Sequence, residues 1–227
     1  RVTGKISFSS DSLLPPLYSS VYYDDKGLVI QSRSQNHLGG WDSEKTEYSF
    51  TGQLLQRTLS HTTGSASAVV EHYTYSYDNM DRVLKVTHRL GKGAETVLTD
   101  NSYDALGRLV SDARNGNPAL KTDYSYNIRS WKSSMSSSLF SEDLHYNNPD
   151  SSGLALTPRY DGNISASEWS FSDNAKKGYS YVYDGLGRVC SATWLSDGNP
   201  SPGFGTSYSY DGHGNILSLS RGKVDSS

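Results

Sequence analysis

A short motif of the form Tyr-x-Tyr-Asp-x-x-Gly-Arg, written repeatedly along the chain, constrains the fold more than any other feature. Its clearest copy spans residues 181–189, and further copies occupy residues 75–83, 102–109 and 208–216. A looser copy covers residues 22–29. Self-similarity at a regular period is the signature of a repeat architecture. Each copy is therefore expected to be one supersecondary unit that packs against its neighbours.

Three other stretches resemble the motif less closely. Residues 124–131 carry Asn127 in place of the aspartate, and two stretches place Thr51-Gly52 or Asp161-Gly162 at a turn shortened by two residues. If the Asp position or its substitute is taken as the marker, successive units lie 23 to 34 residues apart. This period fits one two-stranded unit with its connections, and the sequence shows no helical period of useful length. The markers are residues 24, 51, 78, 104, 127, 161, 184 and 211.

The Asp-x-x-Gly core of the motif predicts a hairpin turn. Aspartate at the first position can accept hydrogen bonds from the backbone of a type I turn, and glycine at the fourth tolerates positive φ. The combination is typical of a three-residue hairpin loop with a bulge at the glycine. In that register the arginine that follows the glycine lies across from the aspartate. The predicted turn and cross-strand residues are Asp24, Gly27, Asp78, Arg82, Asp104, Gly107, Arg108, Asp161, Gly162, Asp184, Gly187, Arg188, Asp211 and Gly214.

Tyrosine is expected to supply much of the buried surface. The chain has 17 Tyr but only 5 Phe and 2 Met, and only 34% of its residues are hydrophobic. A tyrosine combines a large apolar ring with a hydroxyl that needs a hydrogen-bond partner, which suits a sheet with wetted faces. The hairpin register places Tyr77 across from Val83 and Tyr183 across from Val189, which are favourable cross-strand pairs. These tyrosines are predicted to be scaffold.

The sequence therefore predicts an all-β repeat architecture, in which about eight successive β-hairpins form a curved or spiralling antiparallel ribbon. Residues 1–20 contain no copy of the motif and are predicted to be a lead-in. The ribbon is predicted over residues 21–220, with an irregular stretch at 141–158, and residues 221–227 are predicted to be a tail. The chain begins at Arg1 without a methionine or a signal peptide, which favours a piece of a longer protein.

Composition also argues against several classes of function. The net charge of −3 and pI of about 6.1 give no basic footprint for nucleic acid. No apolar run approaches the length of a membrane span. Cys190 is alone, which rules out an intramolecular disulfide, and we interpret it as a small packing residue across from Val182. The histidines lack metal-ligand spacing, so no metal or other cofactor, and no catalytic residue, is predicted.

The four tryptophans leave one alternative open. They could form an aromatic platform that stacks on sugars, although packing within the sheet is the favoured interpretation. The residues concerned are Trp41, Trp131, Trp169 and Trp194.

Tyr-x-Tyr-Asp-x-x-Gly-Arg at this spacing resembles the YD repeat of RHS proteins, which is shared by teneurins and insecticidal toxin-complex shell components. The resemblance covers about residues 20–220, and residues 126–131 and 160–164 are similar to Bacteroidetes-type members in particular. It implies a ribbon that forms part of a hollow shell around a C-terminal toxic domain. The Asp-Pro-x-Gly-Leu self-cleavage signature of many members is absent, because Asp150 follows Pro149. Protease and toxin activity are therefore not expected in this chain.

The resemblance implies a non-catalytic wall segment of a larger secreted or cell-surface bacterial protein. Its partners would be the remainder of the same polypeptide, namely the RHS core and the C-terminal domain. The alternative is an adhesion module that recognises a glycan or a cell-surface protein through exposed Tyr and Trp. An enzyme is the third class, and no motif supports it. The unpaired edges of such a ribbon also predict edge-to-edge self-association.

Overall fold

A computed structural model of the protein describes residues 1–8, 15–64, 66–147, 156–172 and 175–222. These residues form 18 strands and one short 3-10 helix, Pro118–Leu120. Every strand pair with a defined register is antiparallel. The predicted all-β hairpin ribbon is confirmed. Its curvature and the three-part division of the chain stay predictions.

The chain divides into two compact units. The first comprises residues 1–102 and 113–117, and the second comprises residues 103–112 and 118–227. The strands of the first unit are β1 (Gly4–Ser7), β2 (Leu17–Tyr23), β3 (Val29–Gln35), β4 (Trp41–Tyr48), β5 (Leu54–His61), β6 (Val69–Tyr77), β7 (Val83–Leu90) and all but the last residue of β8 (Thr96–Tyr103).

The second unit holds the remaining strands, including most of β9. Its strands are β9 (Leu109–Arg114), β10 (Thr122–Tyr126), β11 (Lys132–Ser137), β12 (Phe140–His145), β13 (Ala166–Phe171), β14 (Lys177–Tyr183), β15 (Val189–Ser196), β16 (Asn199–Pro200), β17 (Thr206–Tyr210) and β18 (Ile216–Arg221).

Within each unit, strands that follow one another in the chain pair with one another. In the first unit the ladder runs from β1 to β8, and β1 within the predicted lead-in already pairs with β2. In the second unit it runs from β9 to β18, with β16 pairing to β15 beside β17. Because consecutive strands pair directly, each hairpin contacts mainly the hairpins before and after it in the sequence. This is the behaviour of quasi-one-dimensional repeats.

The predicted register next to the turns is confirmed. Tyr77 pairs with Val83 and Tyr183 with Val189. One residue further along, the returning strand contains an additional bulge that the sequence did not predict. Cys190 lies at this bulge, because Val182 pairs with Ser191; the predicted pairing of Cys190 with Val182 is therefore wrong. Such a bulge leaves one residue unpaired and increases the local twist.

The turn predicted as shortened at Thr51-Gly52 is a full-length turn. Ser49 takes the place of the aspartate: its backbone N–H donates to the carbonyl of Gln53, and Gly52 donates to the carbonyl of Ser49. The Ser49 hydroxyl accepts from the backbone N–H of Gln53 at 3.0 Å. A serine hydroxyl can accept these local backbone bonds as an aspartate does, although more weakly. The marker of this unit is thus Ser49.

The predicted hairpin at Asp161-Gly162 and the predicted irregular stretch at 141–158 are corrected together. Residues Phe140–His145 form a regular strand that pairs with Ala166–Phe171 over six positions. These two strands make one hairpin, and Asp161-Gly162 lies within its long connection. Residues 148–155 of that connection, like residues 223–227 of the predicted tail, lie outside the described residues.

Among the described residues, few apolar side chains are fully buried. Ala166 and Leu195 form the core of the second unit, with Leu156 packed against them, and the polar Ser165 and Glu168 are buried beside them. A core this small stabilises less than the aliphatic core of an ordinary domain. Contacts between hairpins must therefore contribute much of the stability.

Candidate functional site on the turn edge

The motif residues form a closed network at each hairpin turn, best seen at Asp184. Its backbone N–H donates to the carbonyl of Arg188 at 2.9 Å, and Gly187 donates to the carbonyl of Asp184 at 3.0 Å. Carboxylate oxygen Oδ1 accepts from the backbone N–H groups of Leu186 and Arg188, both at 2.9 Å. Gly187 has a φ of 78°, in the region that favours glycine. This is the three-residue loop with a glycine bulge.

The same pair of backbone bonds recurs in both units. Where the glycine is replaced, Asp81 and Ser130 adopt φ values of 64° and 61°. Asn127 replaces the aspartate, and its Oδ1 accepts from the backbone of Arg129 and Trp131. The backbone pair closes the turns that begin at Asp24, Ser49, Asp78, Asp104, Asn127, Asp184 and Asp211, and their glycines include Gly27, Gly107 and Gly214.

An ion pair spans three of these turns. The Nε atom of the arginine lies 2.6 to 2.7 Å from aspartate Oδ2 in the pairs Asp78–Arg82, Asp104–Arg108 and Asp184–Arg188. The Arg82 guanidinium lowers the pKa of Asp78. The backbone N–H of the facing arginine, followed by its side chain, lowers the pKa of Asp104 and Asp184. A carboxylate that accepts several such bonds stays ionised to unusually low pH.

Asp211 holds its turn without an arginine. Asn215 occupies the arginine position, and its side-chain amide donates to Oδ2 of Asp211 at 2.8 Å. This amide bond, followed by the backbone bonds of the turn, lowers the pKa of Asp211. The sequence Asp211–Asn215 therefore makes a hairpin turn, as the motif predicts.

Two arginines also connect one turn to the next. Nη1 of Arg108 donates to the backbone carbonyl of Asn127, and Nη1 of Arg188 donates to that of Asp211, each at 3.1 Å. The same guanidinium groups lie over the rings of Tyr126 and Tyr210, at 4.9 and 4.6 Å from the centroids. Arginine suits this role because its planar group donates in several directions and stacks on aromatic faces. The turns of neighbouring hairpins thus contact one another along one edge of the second unit.

A second connection uses a tyrosine that directly precedes a turn. The Tyr183 hydroxyl donates to the Ile164 carbonyl at 2.7 Å, and the Tyr77 hydroxyl donates to the Leu54 carbonyl at 2.8 Å. In each case the acceptor lies just after the turn of the previous hairpin. The further donor and acceptor pairs are Tyr48 and Val29, Tyr126 and Leu109, Tyr146 and Lys132, and Tyr210 and Val189, with distances of 2.8 to 3.0 Å.

The hydroxyl contacts explain the corrected hairpin. Tyr146 donates to Lys132, as the tyrosine before a turn should, and Ile164 accepts from Tyr183, as the residue after a turn should. Gly162, two residues before Ile164, has a φ of 95°. The unit therefore begins its turn after Tyr146 and completes it at Gly162, with an insertion between. Tyr146 was missed, although its position before Asn147 resembles Tyr126 before Asn127.

Asp161 has a local role in this connection. Its carboxylate accepts from the backbone N–H of Asn163 at 3.2 Å and pairs with the Arg159 side chain. The Arg159 guanidinium also lies over the ring of Tyr183, 4.9 Å from the centroid. Arg159 thus contacts the next hairpin much as the motif arginines do.

The four tryptophans divide between the two units. Trp41 belongs to the first unit, where Arg33 lies 4.1 Å above its ring. Trp131 packs against Tyr146, with ring centroids 5.0 Å apart. The ring centroids of Trp169 and Trp194 lie 6.0 Å apart, and the two rings meet edge to face. Tyr179 packs against both of these tryptophans, and Phe204 packs against Trp194. The two tryptophan rings therefore mainly contact other aromatic rings.

Within the described ranges, no group of three or more His, Cys, Asp or Glu could hold a metal ion. His61 pairs with Asp42 and His145 with the buried Glu168, each across adjacent strands. No helix of the described chain is long and apolar enough to cross a membrane.

No protein-family model matches the chain, and no curated protein matches it. It is similar to the crystal structure of TcdB2-TccC3-Cdc42, with 14% identity over 87% of this chain and a TM-score of 0.33. It is also similar to that of TcdB2-TccC3-TEV, with 15% identity over 86% of this chain and a TM-score of 0.32. The chain spans about a tenth of the length of both structures.

Proposed function

We propose that the chain is a non-catalytic structural segment of a larger secreted or cell-surface YD-repeat protein. In this proposal it builds part of the wall of a shell that encloses or presents a C-terminal effector domain. The recurring hydrogen bond from the tyrosine before one turn to the carbonyl after the previous turn carries the proposal. A contact that recurs from hairpin to hairpin, at six tyrosines, joins units into a ribbon, whereas a catalytic site is needed only once.

The use of the motif residues supports a structural role. The carboxylate of Asp184 accepts hydrogen bonds from two backbone N–H groups and from Nε of Arg188. Nη1 of Arg188 donates to the backbone carbonyl of Asp211 in the next turn. The carboxylate and the guanidinium of this turn are thus both engaged by other groups of the protein. The resemblance of the motif to YD repeats agrees with this role.

The test uses the longer polypeptide that contains this segment. Limited proteolysis followed by mass spectrometry should show that the region after the segment is protected, and that deletion of residues 21–220 exposes it to cleavage. Equal cleavage rates with and without the segment would rule out an enclosing wall. Labelling of intact producing cells with a membrane-impermeant reagent tests the surface location, and a protein that labels only after lysis contradicts it.

We also propose that the exposed edge of the ribbon pairs with another ribbon edge. Strand β18 pairs with β17 and is exposed along its whole length, including Ile216, Leu217 and Leu219. An exposed strand with apolar side chains invites pairing with a further strand. Light scattering over a range of concentrations should show self-association of this chain, and a strict monomer at high concentration would contradict it.

A further inference from the structure

A polar pocket of about 460 Å³ lies on one face of strands β3, β4 and β5 in the first unit. The register places its residues together: Arg33 pairs with Ser43, which pairs with Ser60. Two residues along each strand, Gln31 pairs with Lys45, which pairs with Thr58. Side chains two apart on a strand share a face. The volume falls within the range of small-molecule sites.

The pocket carries positive charge only. Strand β4 alternates its side chains so that Lys45 lies on the pocket face, whereas Asp42 and Glu44 lie on the other face. There Asp42 pairs with His61, and Glu44 pairs with Arg57. No aspartate or glutamate lines the pocket. This separation concentrates two cations, Arg33 and Lys45, on one surface of a chain whose net charge is −3.

The Arg33 guanidinium is held in place by an aromatic ring. It lies 4.1 Å from the ring centroid of Trp41, a distance typical of a cation–π contact. The backbone N–H of Trp41 in turn donates to the Thr62 hydroxyl at 2.8 Å, which fixes the tryptophan at the pocket wall. Within the described residues, neither Arg33 nor Lys45 forms an ion pair with a carboxylate. A stacked guanidinium that is already positioned loses less freedom when it binds an oxyanion.

The floor of the pocket offers unused hydrogen-bonding groups. Among the described residues, the hydroxyls of Ser43 and Ser60 and the side-chain amide of Gln31 have no hydrogen-bond partner in the protein. Hydroxyl and amide groups both donate and accept, so they complement a ligand that carries several hydroxyls. None of these atoms is buried, so a polar ligand in the pocket can reach them.

We propose that this pocket binds an acidic sugar, that is, a ring with several hydroxyls and a carboxylate or sulfate group. The oxyanion would contact Arg33 and Lys45, and the ring hydroxyls would contact Ser43, Ser60 and Gln31. This role does not depend on the proposed shell, because the pocket lies on a sheet face and uses none of the turn residues.

Isothermal titration of the 227-residue chain with tetragalacturonate tests the proposal, and the fully methyl-esterified tetrasaccharide serves as the uncharged matched ligand. The acid form should bind, and the ester should bind at least about tenfold more weakly, because charge-assisted hydrogen bonds are the strong ones. Arg33→Gln and Lys45→Gln should each weaken binding at least about fivefold. Arg89→Gln, which removes an exposed arginine of β7 outside the pocket, should leave the affinity within about twofold.

Four results would overturn the proposal. They are absence of binding by the acid form, equal affinity for the ester, pocket variants that match Arg89→Gln, and inorganic sulfate that binds as tightly as the sugar. Arg33 and Lys45 are both exposed, so their variants should fold, and an unchanged circular dichroism spectrum confirms this. Binding should also weaken as salt is raised, because screening reduces the attraction of exposed charges.

Discussion

Removal of the Tyr183 hydroxyl should weaken the joint between two hairpins without changing their packing. In Tyr183→Phe the ring and its contact with Arg159 remain, but the donor to the Ile164 carbonyl at 2.7 Å is lost. A typical hydrogen bond contributes about 0.5–1.5 kcal/mol net, and an acceptor left without a partner costs about 1–3 kcal/mol when buried. Because Tyr183 and Ile164 are half-buried, we expect a loss of about 1–2 kcal/mol in the free energy of unfolding.

Urea denaturation followed by circular dichroism measures this loss. For a slope of about 3 kcal/mol/M, the midpoint should fall by about 0.3–0.7 M with an unchanged slope. Tyr208→Phe is the matched control in the same unit, because its ring stacks on Tyr210 while its hydroxyl has no partner among the described residues. The control should change the stability by less than about 0.5 kcal/mol. Equal midpoints for the two variants would refute the idea that the hydroxyl joins the hairpins.

Three further outcomes follow from the turns and the tyrosines. Gly187→Val should lower the free energy of unfolding by about 1 kcal/mol or more, because valine resists a φ of 78°. Gly185→Val, at a position without positive φ, should cost less, and equal urea midpoints for the two variants would reject the assigned turn. Burial raises the pKa of Tyr77 and Tyr183, so their contribution to the free energy of unfolding is full below about pH 10 and should be lost as pH rises further. A urea midpoint that stays constant from about pH 9.5 to 11 would contradict this. The turn lowers the pKa of Asp184, so the contribution of this carboxylate to the free energy of unfolding is present above about pH 4 and should be lost as pH falls. Asp184→Asn should therefore reduce the dependence of the urea midpoint on acid pH.

The hairpin fold could be predicted because the local signal and the tertiary pairing agree. Asp-x-x-Gly specifies a turn by itself, and a turn of known length sets the register of the strands beside it. Tyr77 and Tyr183 therefore paired with the valines expected from the motif. The additional bulge at Cys190 could not be predicted in the same way, because no residue type in the motif requires it.

Two predictions about turns are wrong because the chain departs from the motif there and still keeps the contacts of the motif. Ser49 accepts the backbone bonds of an aspartate, so the match of Thr51-Gly52 to a shortened turn places the marker two residues too late. Tyr146 begins a turn that is completed at Gly162, and the insertion hid the relation between the two. The pocket at Arg33 was missed for another reason. Its residues come from three strands, and the sequence alone does not give the register that places them on one face.

The insertion shows which part of a unit the ribbon requires. The residues between Tyr146 and Gly162 depart from the motif, yet β12 and β13 still pair over six positions. Tyr146 still donates to the previous hairpin, and the carbonyl of Ile164 still accepts from the next one. In an architecture in which each repeat contacts only its neighbours, stability depends on these joints more than on the turn between them. The turn can therefore carry added sequence, whereas the tyrosine before it and the carbonyl after it must keep their places.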